Sequence, residues 1–166
     1  MTTNLPQSED DRFRTEIFER FMRLMPEHDL TLILLKGHLL VEEQMDKFIE
    51  ASLGDAGEAF LTLKLSFGRK LEFARQLHRP REPFAPVWNE VKELNELRNK
   101  IAHNPEIPDL AQRCDDFVKK RSPQPWKDLA ADPHIRLSLA IGDIVAAVAG
   151  LRFGREKVMS KSRETQ

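Results

Sequence analysis

Residues 86–105 read PVWNEVKELNELRNKIAHNP. Val87, Val91, Leu94 and Ile101 recur at helical spacing, and Pro105 closes the run because proline has no N–H to donate. The spacing predicts a helix over about 86–103. Arg98 falls on the same apolar line, four residues after Leu94 and three before Ile101. A charge facing a core or a partner needs acceptors, since an unpaired buried charge costs several kcal/mol. Asn99 and His103 are four apart, so they are neighbours on an adjacent face. A guanidinium, an amide and an imidazole are thus gathered within about one and a half turns of a helix end.

Working outward, the other prolines and the apolar lines divide the chain. Pro105 and Pro108 precede a short helix at about 109–120, and Pro123 and Pro125 mark a loop. Asp132 before Pro133 is a start signal, a capping side chain followed by a residue preset for the first turn. The helix it opens carries Leu137, Ile141, Ile144, Val148 and Leu151. Upstream, a helix over about 9–25 carries Phe13, Ile17, Phe21 and Leu24. A second, capped by Asp29, runs to about Ser52 with Leu34, Val41, Met45 and Phe48 in line. A third covers about 58–78 with a break at Gly68, and the alternating run Phe60 to Leu65 leaves a short strand open there. Arg79 to Pro86 is a proline-rich connection. Leucine outnumbers valine and isoleucine together and tyrosine is absent, which favours helix over strand. The expected fold is all-α: a single-domain helical bundle of about five to six helices over 9–153, with residues 1–8 and the polar tail 154–166 disordered.

Composition narrows the function classes. Lys plus Arg number 26 against 27 Asp plus Glu, a net charge of −1, so the whole molecule has no field drawing it to nucleic acid or anionic membrane. The distribution is uneven, because Lys64, Arg69, Lys70, Arg75, Arg79 and Arg81 face a lone Glu72 in their segment. Arg69, Lys70 and Arg75 are therefore candidate phosphate-backbone contacts; a solvated face or a docking surface for an acidic partner fits the same pattern. The single cysteine, Cys114, excludes an internal disulfide and falls in a polar helix, with partial exposure expected. No uninterrupted apolar run reaches about 18 residues, and Met1 to Asp11 has no basic-then-apolar pattern, so the expectation is a cytoplasmic protein without a membrane span. The histidines at 28, 38, 78, 103 and 134 show no i,i+4 pairing, and no glycine-rich phosphate loop occurs; neither a metal nor a cofactor is expected.

Two further features sit on apolar lines. His38 stands between Leu34 and Val41, beside Gly37 and one turn before Glu42. It is either an additional cleft residue, with Glu42, or a core histidine bonded to a buried acceptor; Glu42 or Glu43 could also neutralise Arg98. Ser138, Gly142, Ala146 and Gly150 repeat every four residues, a spacing that permits close helix packing within the core or across a two-fold interface.

The Arg98–Asn99–His103 group suits metal-free phosphodiester chemistry. Histidine is the side chain whose ordinary pKa lies near neutrality, and arginine's planar fork matches phosphate. A structural reading stands beside it, with Arg98 salt-bridged to a neighbouring helix and His103 capping C-terminal carbonyls.

Arg98-Asn99-Lys100-Ile101-Ala102-His103 resembles the R-x4–6-H signature of the HEPN superfamily, including the polar residue that follows its arginine, and Leu94 and Leu97 match the flanks. The resemblance is sharp over about eight residues. It implies an all-α domain with a four-helix core and, in many members, a metal-independent endoribonuclease of toxin–antitoxin or defence systems. It also implies a homodimer lining one cleft with the arginine and histidine of both protomers, an RNA substrate, and an antitoxin or other protein partner. In that frame Arg98 stabilises the phosphate, Asn99 supports it and His103 transfers the proton. Other members are non-catalytic modules for partner assembly or nucleotide binding, which is the alternative expectation here.

Overall fold

The structure, a computed structural model, describes residues 8–78, 86–104, 107–121 and 132–164. The described residues form an all-α bundle: α1 (Glu9–Leu24), α2 (Leu30–Leu53), a 3-10 turn (Gly54–Ala56), α3 (Gly57–Leu61), α4 (Phe67–Leu77), α5 (Val87–His103), α6 (Leu110–Lys120) and α7 (Pro133–Glu164).

The helix starts follow from their caps. Ser8 Oγ accepts from the Asp11 N–H, and Asp29 accepts from the Leu32 N–H at 2.9 Å. Asp132 Oδ1 accepts from the His134 N–H at 2.7 Å and opens α7. The segment 58–78 breaks earlier than its glycine suggests. Helix α3 ends at Leu61, Lys64 turns the chain at φ 49°, and Gly68 lies inside α4 with open space around it. No strand forms at 60–65, because those residues close one helix and turn into the next.

At the C-terminal end the expectation of a disordered tail from 154 gives way to continuous helix through Glu164. No proline interrupts this stretch, and its first turns are tied down. Lys157 pairs with Glu9 at 2.7 Å, Arg152 with Glu156 at 3.3 Å, and the buried Arg155 donates to the Leu77 carbonyl. Of residues 1–8, only Ser8 lies within the described residues.

Packing runs around the parallel pair α2 and α7. A Cβ on Gly37 would come within 2.7 Å of the Ile141 side chain, so the two helices approach closely there. Helix α1 runs antiparallel along α7, with Phe13 stacked on Phe153 at 4.8 Å and Phe18 and Phe21 against Gly142. The small-residue line of α7 is therefore covered from within the chain, which decides between core packing and a two-fold interface. Helix α5 is antiparallel to α2, since Phe48 meets Trp88 while His38 meets Asn95. Helix α4 runs parallel to α2, with Phe67 over His38 and Lys70 beside Glu42 and Asp46. Helix α6 lies against α5 and α7 through Arg121–Glu90 at 3.0 Å and Arg136–Asp115 at 3.2 Å. The C-terminus of α5 consequently sits at the end of the bundle where α2, α4, α6 and α7 begin.

The core holds Ile33, Val41, Met45, Phe48, Leu94, Leu137, Ile141, Ile144 and Val148, all fully buried. Helix α7 includes a stretch long and apolar enough to cross a membrane by length and composition, and 67% of that stretch is buried inside the bundle. Cys114 is buried rather than partly exposed, and burial pushes its thiol up to about 12. At neutral pH it is a small apolar core group with no thiolate.

Candidate functional site

Helix α5 presents its polar residues to two different surroundings. Arg98 lies half-buried, and its Nη1 donates to Asn99 Oδ1 at 3.0 Å. Its Nε is buried without a hydrogen-bond partner, and among the described residues no carboxylate pairs with the guanidinium. The acids expected to neutralise it are engaged elsewhere. Glu42 accepts from Lys70 at 2.9 Å, and Glu43 is held by Arg20 at 3.1 Å and by Lys47. Among the described residues the Arg98 charge is therefore left without a carboxylate, on a half-buried face where a charge acts more strongly than in water.

His38 belongs to the same neighbourhood. It is buried, stacked on Phe67 at 4.1 Å between ring centroids, and its Nε2 lies 3.0 Å from Asn95 Oδ1. With that oxygen as acceptor, Nε2 carries the proton and Nδ1 keeps the lone pair. Burial pushes the ring's pKa below the ordinary histidine value. The Asn95 bond opposes that shift, the Arg98 charge adds to it and the Glu42 charge opposes it. The result at pH 7 is a neutral imidazole within the field of the Arg98 guanidinium. Asn95 is the residue that sequence reasoning missed. The signal was present, since it stands three residues before Arg98 and four before Asn99 and therefore shares their side of the helix.

His103 ends the helix and is exposed. The last carbonyls of α5 are capped by the Asn104 N–H, which reaches Ile101 and Lys100, so the imidazole is not the cap. Five helical residues separate Arg98 from His103, a rotation of about 140° about the axis. Within one chain the structure joins Arg98 to Asn99 and sets it near His38, while His103 stands on the bundle end, facing solvent.

The three candidate phosphate contacts on α4 divide as well. The Lys70 side chain is only 13% exposed and bridges Glu42 and Asp46, at 2.9 and 2.8 Å. Burial works against its ammonium, but the bonds to Asp46 and Glu42 outweigh that and raise its pKa. Its charge is spent inside the bundle. Arg75 bonds to Asn89 and lies 3.8 Å from Glu72. Arg69 is exposed and borders a groove lined by Phe60, Leu65 and Phe73. The basic surface read from the sequence thus shrinks mainly to the exposed Lys64 and Arg69 among the described residues; Arg79 and Arg81 lie outside them.

No three metal-ligating side chains assemble around Arg98 among the described residues. The group that does assemble, His28, Asp132 and His134, is formed by the α1–α2 turn and the start of α7. Comparison with family models, with curated proteins and with solved structures finds no match to this chain.

Proposed function

We propose that this chain is a metal-independent endoribonuclease of HEPN type, cleaving RNA by attack of the 2′-hydroxyl on the adjacent phosphate, as a toxin or defence component. The observation that carries the reading is Arg98: a half-buried guanidinium on an apolar helix line, without a carboxylate partner among the described residues, one residue from an amide that orients it. Arg98 takes the charge that builds on the phosphoryl oxygens, Asn99 holds the guanidinium, and His103 moves the proton. Because Arg98 and His103 lie on different sides of α5, a complete cleft calls for a second copy of the chain to juxtapose the two groups.

The test is RNA degradation in EDTA by wild type, Arg98→Ala and His103→Ala. Wild type is expected to leave 2′,3′-cyclic phosphate and 5′-hydroxyl ends, with each variant losing at least about 100-fold in rate. Intact RNA with folded wild type, or equal cleavage by the variants, removes the catalytic reading.

A second reading is favoured by the rotation between Arg98 and His103. In a non-catalytic helical module for partner assembly or nucleotide binding, the two need not converge, and the Arg98 charge receives an acidic partner or a phosphate group. Binding that depends on Arg98 but not on His103, without cleavage, distinguishes this reading.

A further inference from the structure

His28, Asp132 and His134 lie far apart in sequence and meet in space, with one donor atom from each within 4.8 Å of the others. We propose that these three side chains form a binding site for a first-row divalent transition-metal ion, zinc above all, which clips the α1–α2 turn to the start of α7. Two imidazoles and one carboxylate make up a ligand set that zinc takes in tetrahedral sites. The proposal is independent of the Arg98 reading.

The geometry is close to what an ion requires. His134 Nδ1 and Asp132 Oδ1 are 2.8 Å apart and share a proton. Neighbouring ligands on a tetrahedral zinc, at bond lengths near 2.0–2.1 Å, are about 3.3 Å apart. The ion can therefore replace that proton with little movement of either side chain. The rings of His28 and His134 stand edge to face, with centroids 6.0 Å apart and planes at 88°. Two imidazoles on one tetrahedral ion place their centroids about 5.2 Å apart. The remaining contraction falls to His28, whose side chain is 78% exposed and free to rotate inward.

Helix capping alone does not account for the arrangement. The bond from the His134 N–H to Asp132 explains why Asp132 precedes α7, but not why His28 from another turn meets the His134 ring. The three side chains border a cavity of about 310 Å³ that also reaches Met22, Met25 and Ser138. Glu27, whose Oε2 is 3.8 Å from His28 Nε2, or a water can complete the fourth position.

The balance of the step is simple. The ion takes Nδ1 of His134, the proton held there passes through solvent to Nε2 as the ring changes tautomer, and no bond of the chain breaks. The test is titration of zinc into the full chain after chelator treatment and removal of the chelator, followed by calorimetry and by cobalt absorption. Wild type is expected to take up one equivalent saturably and to give the visible spectrum of tetrahedral cobalt. His28→Ala, in an exposed turn, and Asp132→Asn, which keeps a capping side chain, are each expected to bind at least about 10-fold more weakly. Thermal unfolding without metal checks that both variants fold like wild type. Non-saturable uptake by wild type, or uptake unchanged in both folded variants, overturns the site.

Discussion

His38 and Asn95 are joined across the α2–α5 interface, with Nε2 and Oδ1 3.0 Å apart, and this bond fixes how the candidate site is assembled. It sets the helix carrying Arg98 against the helix carrying the buried imidazole. Asn95→Ala leaves a buried ring nitrogen without its partner. The expected loss is about 1–3 kcal/mol of unfolding free energy, measured by urea denaturation, whereas Asn95→Asp is expected to raise the His38 pKa in an NMR titration.

The same histidine makes stability depend on pH. Its folded-state pKa is lowered, chiefly by burial. Between that value and the unfolded value near 6.5 the unfolded chain binds more protons, so stability rises with pH. The contribution is complete above about pH 6.5 and is lost as the pH falls through the folded pKa. Melting temperatures between pH 7.5 and 5 should fall more steeply for wild type than for His38→Gln, and equal slopes would place the transition on other groups.

Lys70 separates a structural cation from a binding one. Its ammonium bridges Glu42 and Asp46, so Lys70→Met strands two carboxylates. Part of their charge still reaches water, and the expected cost is roughly 1–3 kcal/mol, between the exposed and buried limits. RNA affinity, measured by filter binding on the folded variant, is expected to stay unchanged, whereas Arg69→Ala weakens it.

Gly142 tests the register of α1 on α7. A Cβ there would approach Phe18 Cε2 to 2.7 Å and Phe21 Cδ1 to 3.1 Å. Gly142→Val forces the two helices apart at an expected cost of about 1–3 kcal/mol. The shift in denaturation midpoint relative to wild type should be the same at every protein concentration, because the contact lies within one chain.

These residues also mark what could be read from the sequence and what could not. Helix starts at Asp29 and Asp132 and the apolar lines of α2, α5 and α7 depend on neighbours along the chain, so spacing reveals them. The turn at Lys64 and the continuation of α7 past Gly154 depend on contacts with other elements, such as Glu9 with Lys157. The placement of the acids was equally hidden. Glu42 had two cations within reach, Arg98 and Lys70, and only the packing of α4 on α2 decides for Lys70. The meeting of His28 with His134 has no sequence period at all, because the parallel register of α2 and α7 creates it.

Arg98 allows structure and chemistry to be tested in one position. A guanidinium held by a carboxylate would take stability with it when removed, since its partner would be left charged and buried. No such partner exists among the described residues, and Nε is already unsatisfied. Arg98→Met keeps the aliphatic packing and removes an uncompensated charge. Its unfolding free energy is therefore expected to equal wild type or exceed it by about 1 kcal/mol, while RNA cleavage falls at least about 100-fold. Arg98→Lys retains the charge but not the planar fork, so it should recover only part of the activity. A large loss of stability in Arg98→Met would instead make the arginine a strut of the bundle, and the phosphate-binding role would have to move to another residue.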